Sequence, residues 1–136
     1  MTNAMTETIG QIFTNEILNI LFPADRADEF FDALFGDVSE GAYDIGLIYK
    51  SHTQNELCFE FHLMQRPGKC LACNLTYGLP KVFSRHSIIN IKGLISQIDK
   101  LLSNYKIKCT TWKLGSTKEI SRQLHVIPLI ISIKPV

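Results

Sequence analysis

The chain has 136 residues, a net charge of +1 and an apolar content of 46%, values that suit one globular domain and exclude a disordered or collagen-like chain. No apolar run approaches the roughly 18 residues needed to span a bilayer. No basic stretch followed by an apolar one marks a secretory leader, and Cys58, Cys70, Cys73 and Cys109 are too scattered for a disulfide framework. The expectation is one domain over residues 1–136, cytoplasmic, with free thiols and with no cofactor, metal or membrane contact.

Charge is unevenly spread. Residues 1–65 carry eleven Asp and Glu against Arg26 and Lys50, a balance of −9, and residues 66–136 carry twelve Lys and Arg against Asp99 and Glu119, a balance of +10. Such asymmetry can mark an anionic-ligand or nucleic-acid surface. The simpler expectation is that the two halves interleave in the fold and neutralise each other.

Thr6 to Leu21 predicts a first helix, because Ile9, Ile12, Phe13, Ile17, Ile20 and Leu21 recur at spacings of three and four. Asp25 to Phe35 predicts a second, with Gly36 as its C-terminal cap and an acidic solvent face. Tyr43 to Lys50 and then Leu57 to Leu63 alternate apolar and polar residues and predict an antiparallel pair. Setting Tyr49 opposite Leu57 places Asp44 opposite His62.

A Pro67-Gly68 turn precedes a third alternating run, Cys70 to Tyr77. A three-residue loop pairs Leu63 with Cys73 and His62 with Asn74, the register in which apolar faces agree. The segment 78–87, with Pro80, predicts a loop. Ile88 to Tyr105 then follows the helical template, with Ser87 or Asn90 as cap, and Gly93 inside it predicts a close approach. Ile107 to Leu114 predicts a strand with Cys109 and Trp112 on opposite faces. Leu124 to Ile133 predicts the last strand, which Pro128 assigns to a sheet edge.

The fold class is therefore α+β: a mostly antiparallel sheet of about five strands, as a three-strand meander, a helix and two strands. Two N-terminal helices and one long helix pack on one face.

Cys70-Leu-Ala-Cys73 lacks the second ligand pair of a structural zinc site, and within a strand its thiols point to opposite faces. The outward face of the meander is the better candidate. Asp44, Glu60, His62, Asn74, Cys70 and Arg66 gather there, and a carboxylate beside an imidazole is how a general base is often built. Arg85, His86 and Ser87 before the long helix form a candidate anion site. Trp112 with Lys106, Lys108 and Lys113 combines an aromatic with basic residues, as single-stranded nucleic acid binders do.

With no catalytic signature, the expected function is a non-enzymatic ligand-binding or protein-interaction module whose partner is a small molecule or a protein. Three amphipathic helices offer more apolar surface than one small sheet needs, so a homodimer is expected. The alternatives are an enzyme or a metal or thiol site around His62, and anionic-ligand or nucleic-acid binding by the basic C-terminal half.

Overall fold

A computed structural model of the chain describes residues 9–36, 41–69 and 76–136. In chain order the elements are α1 (Asn15–Leu21), α2 (Arg26–Phe35), β1 (Tyr43–His52), β2 (Glu56–Gln65), a 3-10 turn (Thr76–Gly78), α3 (Leu79–Arg85), α4 (Ile91–Ser103), β3 (Ile107–Leu114), β4 (Lys118–Ser121) and β5 (Leu124–Pro135). The five strands form one antiparallel sheet in the order β1-β2-β5-β3, with β4 also on β5. The α+β class follows as the periodicities predict.

Local chemistry explains most boundaries. Residues 9–12 are helical, but the single helix predicted from Thr6 to Leu21 restarts at Thr14, whose hydroxyl accepts from Ile17 N at 3.3 Å. A threonine that caps from its own side chain competes with continuing the helix. Gly36 ends α2 in the left-handed region at φ 73°, with its N–H bonded to Asp32 O. The segment predicted as a loop around Pro80 is helix α3 instead, because proline lacks only an N–H that the first helical turn leaves unbonded anyway. It carries Phe83 into the core against Phe30 and Phe61.

The largest departure lies beside β2. Its far edge is occupied along Glu56–Met64 by β5, with Leu63 opposite His125 and His62 opposite Val126. The predicted pairing of Leu63 with Cys73 and His62 with Asn74 is therefore corrected. Cys70, Cys73 and Asn74 lie outside the described residues, and the described end of that stretch is the 3-10 turn. The Pro67-Gly68 turn itself forms, with Lys69 N bonded to Arg66 O and Gly68 at φ 75°.

Pro128 does not place β5 at an edge. β5 is central, and β3 and β4 run along its other side as one interrupted strand. The carbonyl of Pro128 accepts from Gly115 N at 2.8 Å. A strand residue directs its N and its C=O to the same side. The missing N–H therefore faces the Gly115–Thr117 corner, where the ladder is already broken between Leu114 and Lys118.

One apolar cluster fills the space between sheet and helices. It holds Tyr43, Ile45, Leu47, Leu57, Phe59, Phe61, Leu63, Ile127, Leu129, Ile131 and Ile133 from the inner sheet face. Phe13, Phe22, Phe30, Phe83, Leu94 and Ile98 are among the helical and turn residues that meet them. Phe61 meets Phe22 at 5.3 Å and Phe83 at 5.6 Å, both edge-on.

In the sheet the two charged halves stand side by side rather than interleaved, although Arg66 of the second half pairs with Asp28 and Asp44 of the first. β1 and β2 form one side of the sheet with acidic α2 beside β1, and β5, β3 and β4 form the other.

Candidate functional site

Residues that alternate with the core positions form the outer sheet face, and none of the helices packs there among the described residues. Three columns can be read from the registers. Down the middle, β5 presents Leu124, Val126, Pro128 and Ile130. To one side, β2 presents Glu56, Cys58, Glu60, His62 and Met64, with Gly46 and Ile48 of β1 beyond. To the other, β3 and β4 present Lys108, Lys113 and Lys118 opposite Lys134, Ile130 and Val126. Val126 is buried between His62 and Lys118, yet it and Ile48, Pro128 and Ile130 stand apart from the core cluster. Ile48, Pro128 and Ile130 form a second, smaller and half-buried apolar surface around Val126.

Four of the predicted site residues meet, in two separate pairs. His62 Nε2 lies 3.0 Å from Glu60 Oε1, and Lys50 Nζ reaches the same oxygen at 4.0 Å. Asp44, expected opposite His62, instead faces Met64, and Gly46 faces His62. β1 and β2 extend to His52 and Glu56, so the loop between them is shorter than predicted and the register shifts by two. A shift of two keeps every side chain on its face but changes its partner.

Asp44 and Arg66 form a different unit. Arg66 Nε bonds Asp44 Oδ1 at 3.0 Å, its terminal nitrogen bonds Asp28 Oδ1 at 2.7 Å, and the guanidinium covers the Phe31 ring at 5.5 Å. Gly41 admits this packing, since a Cβ there would stand 2.5 Å from Arg66 Nη1 and 2.6 Å from the Phe31 ring. Arg66 thus fastens α2 to β1.

The candidate anion residues lie before α4, not at its first turn. Arg85 ends α3, and His86 caps it with its N–H on Val82 O. His86 Nδ1 accepts from Ile88 N at 3.1 Å, which puts the proton of a neutral ring on Nε2. The helix starts after Asn90, whose side chain accepts from Gly93 N at 3.1 Å. Ser87 is exposed in the intervening turn.

Trp112 is separated from the lysines. A bulge between Cys109 and Trp112 puts both residues opposite inner-face positions, Ile133 and Ile131, where they pack against the core. The predicted opposition of Cys109 and Trp112 fails because period two does not survive the extra residue. Asp99 of α4 accepts from Cys109 N at 2.8 Å, and burial, helped by that carboxylate, pushes the thiol up to about 12. Burial also raises Tyr49 above its ordinary value, with Cys58 adding to the effect.

The sequence does not single out His125. It is buried on the inner face with Nδ1 on the Thr76 hydroxyl, and Thr117 Oγ1 donates to Thr76 O. Its Nε2 has no hydrogen-bond partner among the described residues and lies 3.8 Å from Glu119. His52 resembles it, with Nδ1 on the Tyr49 hydroxyl and Nε2 buried and unpaired among the described residues. Nothing local distinguishes His125 from a surface histidine, since its burial arises from pairing with distant residues; His52 is half-buried, and its partner Tyr49 lies three residues away.

Among the described residues, no three His, Cys, Asp or Glu side chains are arranged to hold a metal, and no helix is long and apolar enough to cross a membrane. A groove of about 290 Å³ opens between α1 and α4, lined by Ile17, Ile20, Leu21, Gln97, Lys100 and Leu101. Comparison with protein-family models, curated protein sequences and solved structures finds no match.

Proposed function

We propose that this protein is a non-enzymatic interaction module that binds another protein through the outer face of its sheet. The observation that carries this reading is the unequal treatment of the two faces. Helices cover one face over a single core, while the other bears the half-buried Pro128 and Ile130, beside buried Val126, between charged columns with no covering helix among the described residues. Apolar centres with charged rims are how protein contacts are built. A small-molecule site would be concave with convergent polar groups. The α1–α4 groove is open and lined mainly by aliphatic side chains.

The basic column supports a second reading, an anionic polymer. Lys108, Lys113, Lys118 and Lys134 have no ion-pair partner among the described residues. The described outer face carries no Phe, Tyr or Trp, however, so the stacking platform of a single-strand binder is missing.

The test places a photo-cross-linking residue at Ile130, or at Glu29 on the exposed side of α2, in cells that make the protein. Cross-links to protein from position 130 and not from position 29 are the expected result. Equal or no cross-linking from position 130 overturns the proposal. Oligonucleotide binding that weakens steeply with salt would favour the second reading.

A further inference from the structure

The partner class follows from how charge is laid out along the outer face, and the inference rests on the reading of that face as a protein contact. Each residue there has a height along the strands, given by the β5 residue opposite it. Lys118 stands at Val126, Glu60 at Pro128, Lys113 at Ile130, Glu56 at Ser132 and Lys108 at Lys134. Acid and base therefore alternate rung by rung, but on opposite sides of β5. Two strand spacings of roughly 4.8 Å separate the columns, so a Glu and a Lys on neighbouring rungs are held apart within one copy.

We infer that the face is completed by a second copy of this chain, related by a two-fold axis running along β5. Such a rotation keeps every height and exchanges the two sides. Because β2 and the β3–β4 strand each lie one spacing from β5, the rotation lays the β2 column of one copy over the lysine column of the other. Glu60 then falls between the other copy's Lys113 and Lys118, and Glu56 between its Lys108 and Lys113. Pro128 and Ile130 meet their own counterparts at the centre, beside Val126, which is already buried within each copy. Sheets stacked in this way lie roughly 10 Å apart with aligned strands, a gap that a Glu and a Lys side chain span together.

The other in-plane two-fold, across the strands, would put lysines over lysines and carboxylates over carboxylates, so charge selects between the two. Lys134 at the end of β5 meets its own copy, where the twist of the sheets carries them apart. Glu60 retains its contacts with His62 and Lys50, both on its own copy.

The test uses the full chain and two double variants, Glu56→Lys/Glu60→Lys and Lys113→Glu/Lys118→Glu, with circular dichroism confirming that each is folded. Sedimentation and light scattering should show a dimer for the natural chain and dimerisation weakened about tenfold or more for each variant alone, since each then faces its own charge. Mixing the variants in equal amounts should restore dimers, and native mass spectrometry should identify them as one copy of each. A dimer whose variants dissociate but do not recover on mixing overturns the two-fold along β5 while leaving the face as a contact. A natural chain that stays monomeric overturns self-pairing, and cross-links from position 130 to a different protein would then still uphold the interaction reading.

Discussion

Gly93 lies inside α4, where glycine costs about 1 kcal/mol relative to alanine, so Gly93→Ala would ordinarily stabilise the helix by that amount. A Cβ at this position would press on the Asn90 side-chain amide, with its Cγ at 2.8 Å and Oδ1 at 3.0 Å. That amide is the N-cap, accepting from Gly93 N at 3.1 Å, and a cap is worth about 1 kcal/mol. The methyl can be accommodated only by moving the cap, so the two effects offset and Gly93→Ala alone should change stability by less than about 0.5 kcal/mol. Asn90→Gly removes the obstructing amide, suits the left-handed φ of 53° at this position, and costs only a few tenths of a kcal/mol as a cap. In that background Gly93→Ala should stabilise by about 1 kcal/mol, a coupling of similar size. Urea unfolding of the four proteins, compared through midpoints at constant slope, reads the cycle. Additive changes would refute the reasoning. So would a loss beyond about 2 kcal/mol for Gly93→Ala alone, a size that moving a cap does not explain.

Other outcomes follow from the same packing. Arg66→Ala should lose about 1–2 kcal/mol, since its ion pairs with half-exposed Asp28 and Asp44 are each worth under about 1 and its stacking on Phe31 about 0.5–1. Arg66→Lys should lose less, and 1 M salt should narrow the gap between the natural chain and Arg66→Ala; a gap that grows with salt would contradict the clamp. Lys106 is held at φ 59°, so Lys106→Gly should stabilise by up to about 1 kcal/mol in the same urea assay. The Cys109 thiol is pushed from an ordinary 9.0 to about 12, which favours the neutral form in the fold. Its contribution to stability is complete below pH 9 and is lost as pH rises toward 12. Urea midpoints should fall over that window, and Cys109→Ala should flatten the fall. Alkylation of Cys109 at pH 8 should be slow until the protein unfolds.

The outer face and the core face were both legible before any pairing was known. Apolar alternation in Tyr43–Tyr49 and Leu57–Leu63 states which side chains share a side, and a register error of two residues leaves that statement intact, whereas Leu124–Ile133 is almost continuously apolar and gives no such signal. The helical stripe of α4 and the Gly36 cap were equally local. His62 was placed on its correct face but beside the wrong carboxylate. Its neighbour Glu60 is two positions away on the same strand, whereas Asp44 depended on a loop length.

What the sequence by itself determined is therefore periodicity where it is strong: the stripe of α4, the alternation of β1 and β2 with their inward residues, and that acid and base belong to different halves of the chain; α3 and β4 were not legible in it. Only the tertiary structure decided who pairs with whom. β2 could be offered the nearby run Cys70–Tyr77 or the distant Leu124–Pro135, and β5 occupies it with Ile127, Leu129 and Ile131 opposite Phe61, Phe59 and Leu57. Local pattern cannot rank the two, because the gain from burying those inner-face side chains together depends on helices and strands far away in sequence. The same choice makes β5 central and puts Pro128 at the break between β3 and β4. It also sets the carboxylates of β2 and the lysines of β3 and β4 on alternate rungs of one open face.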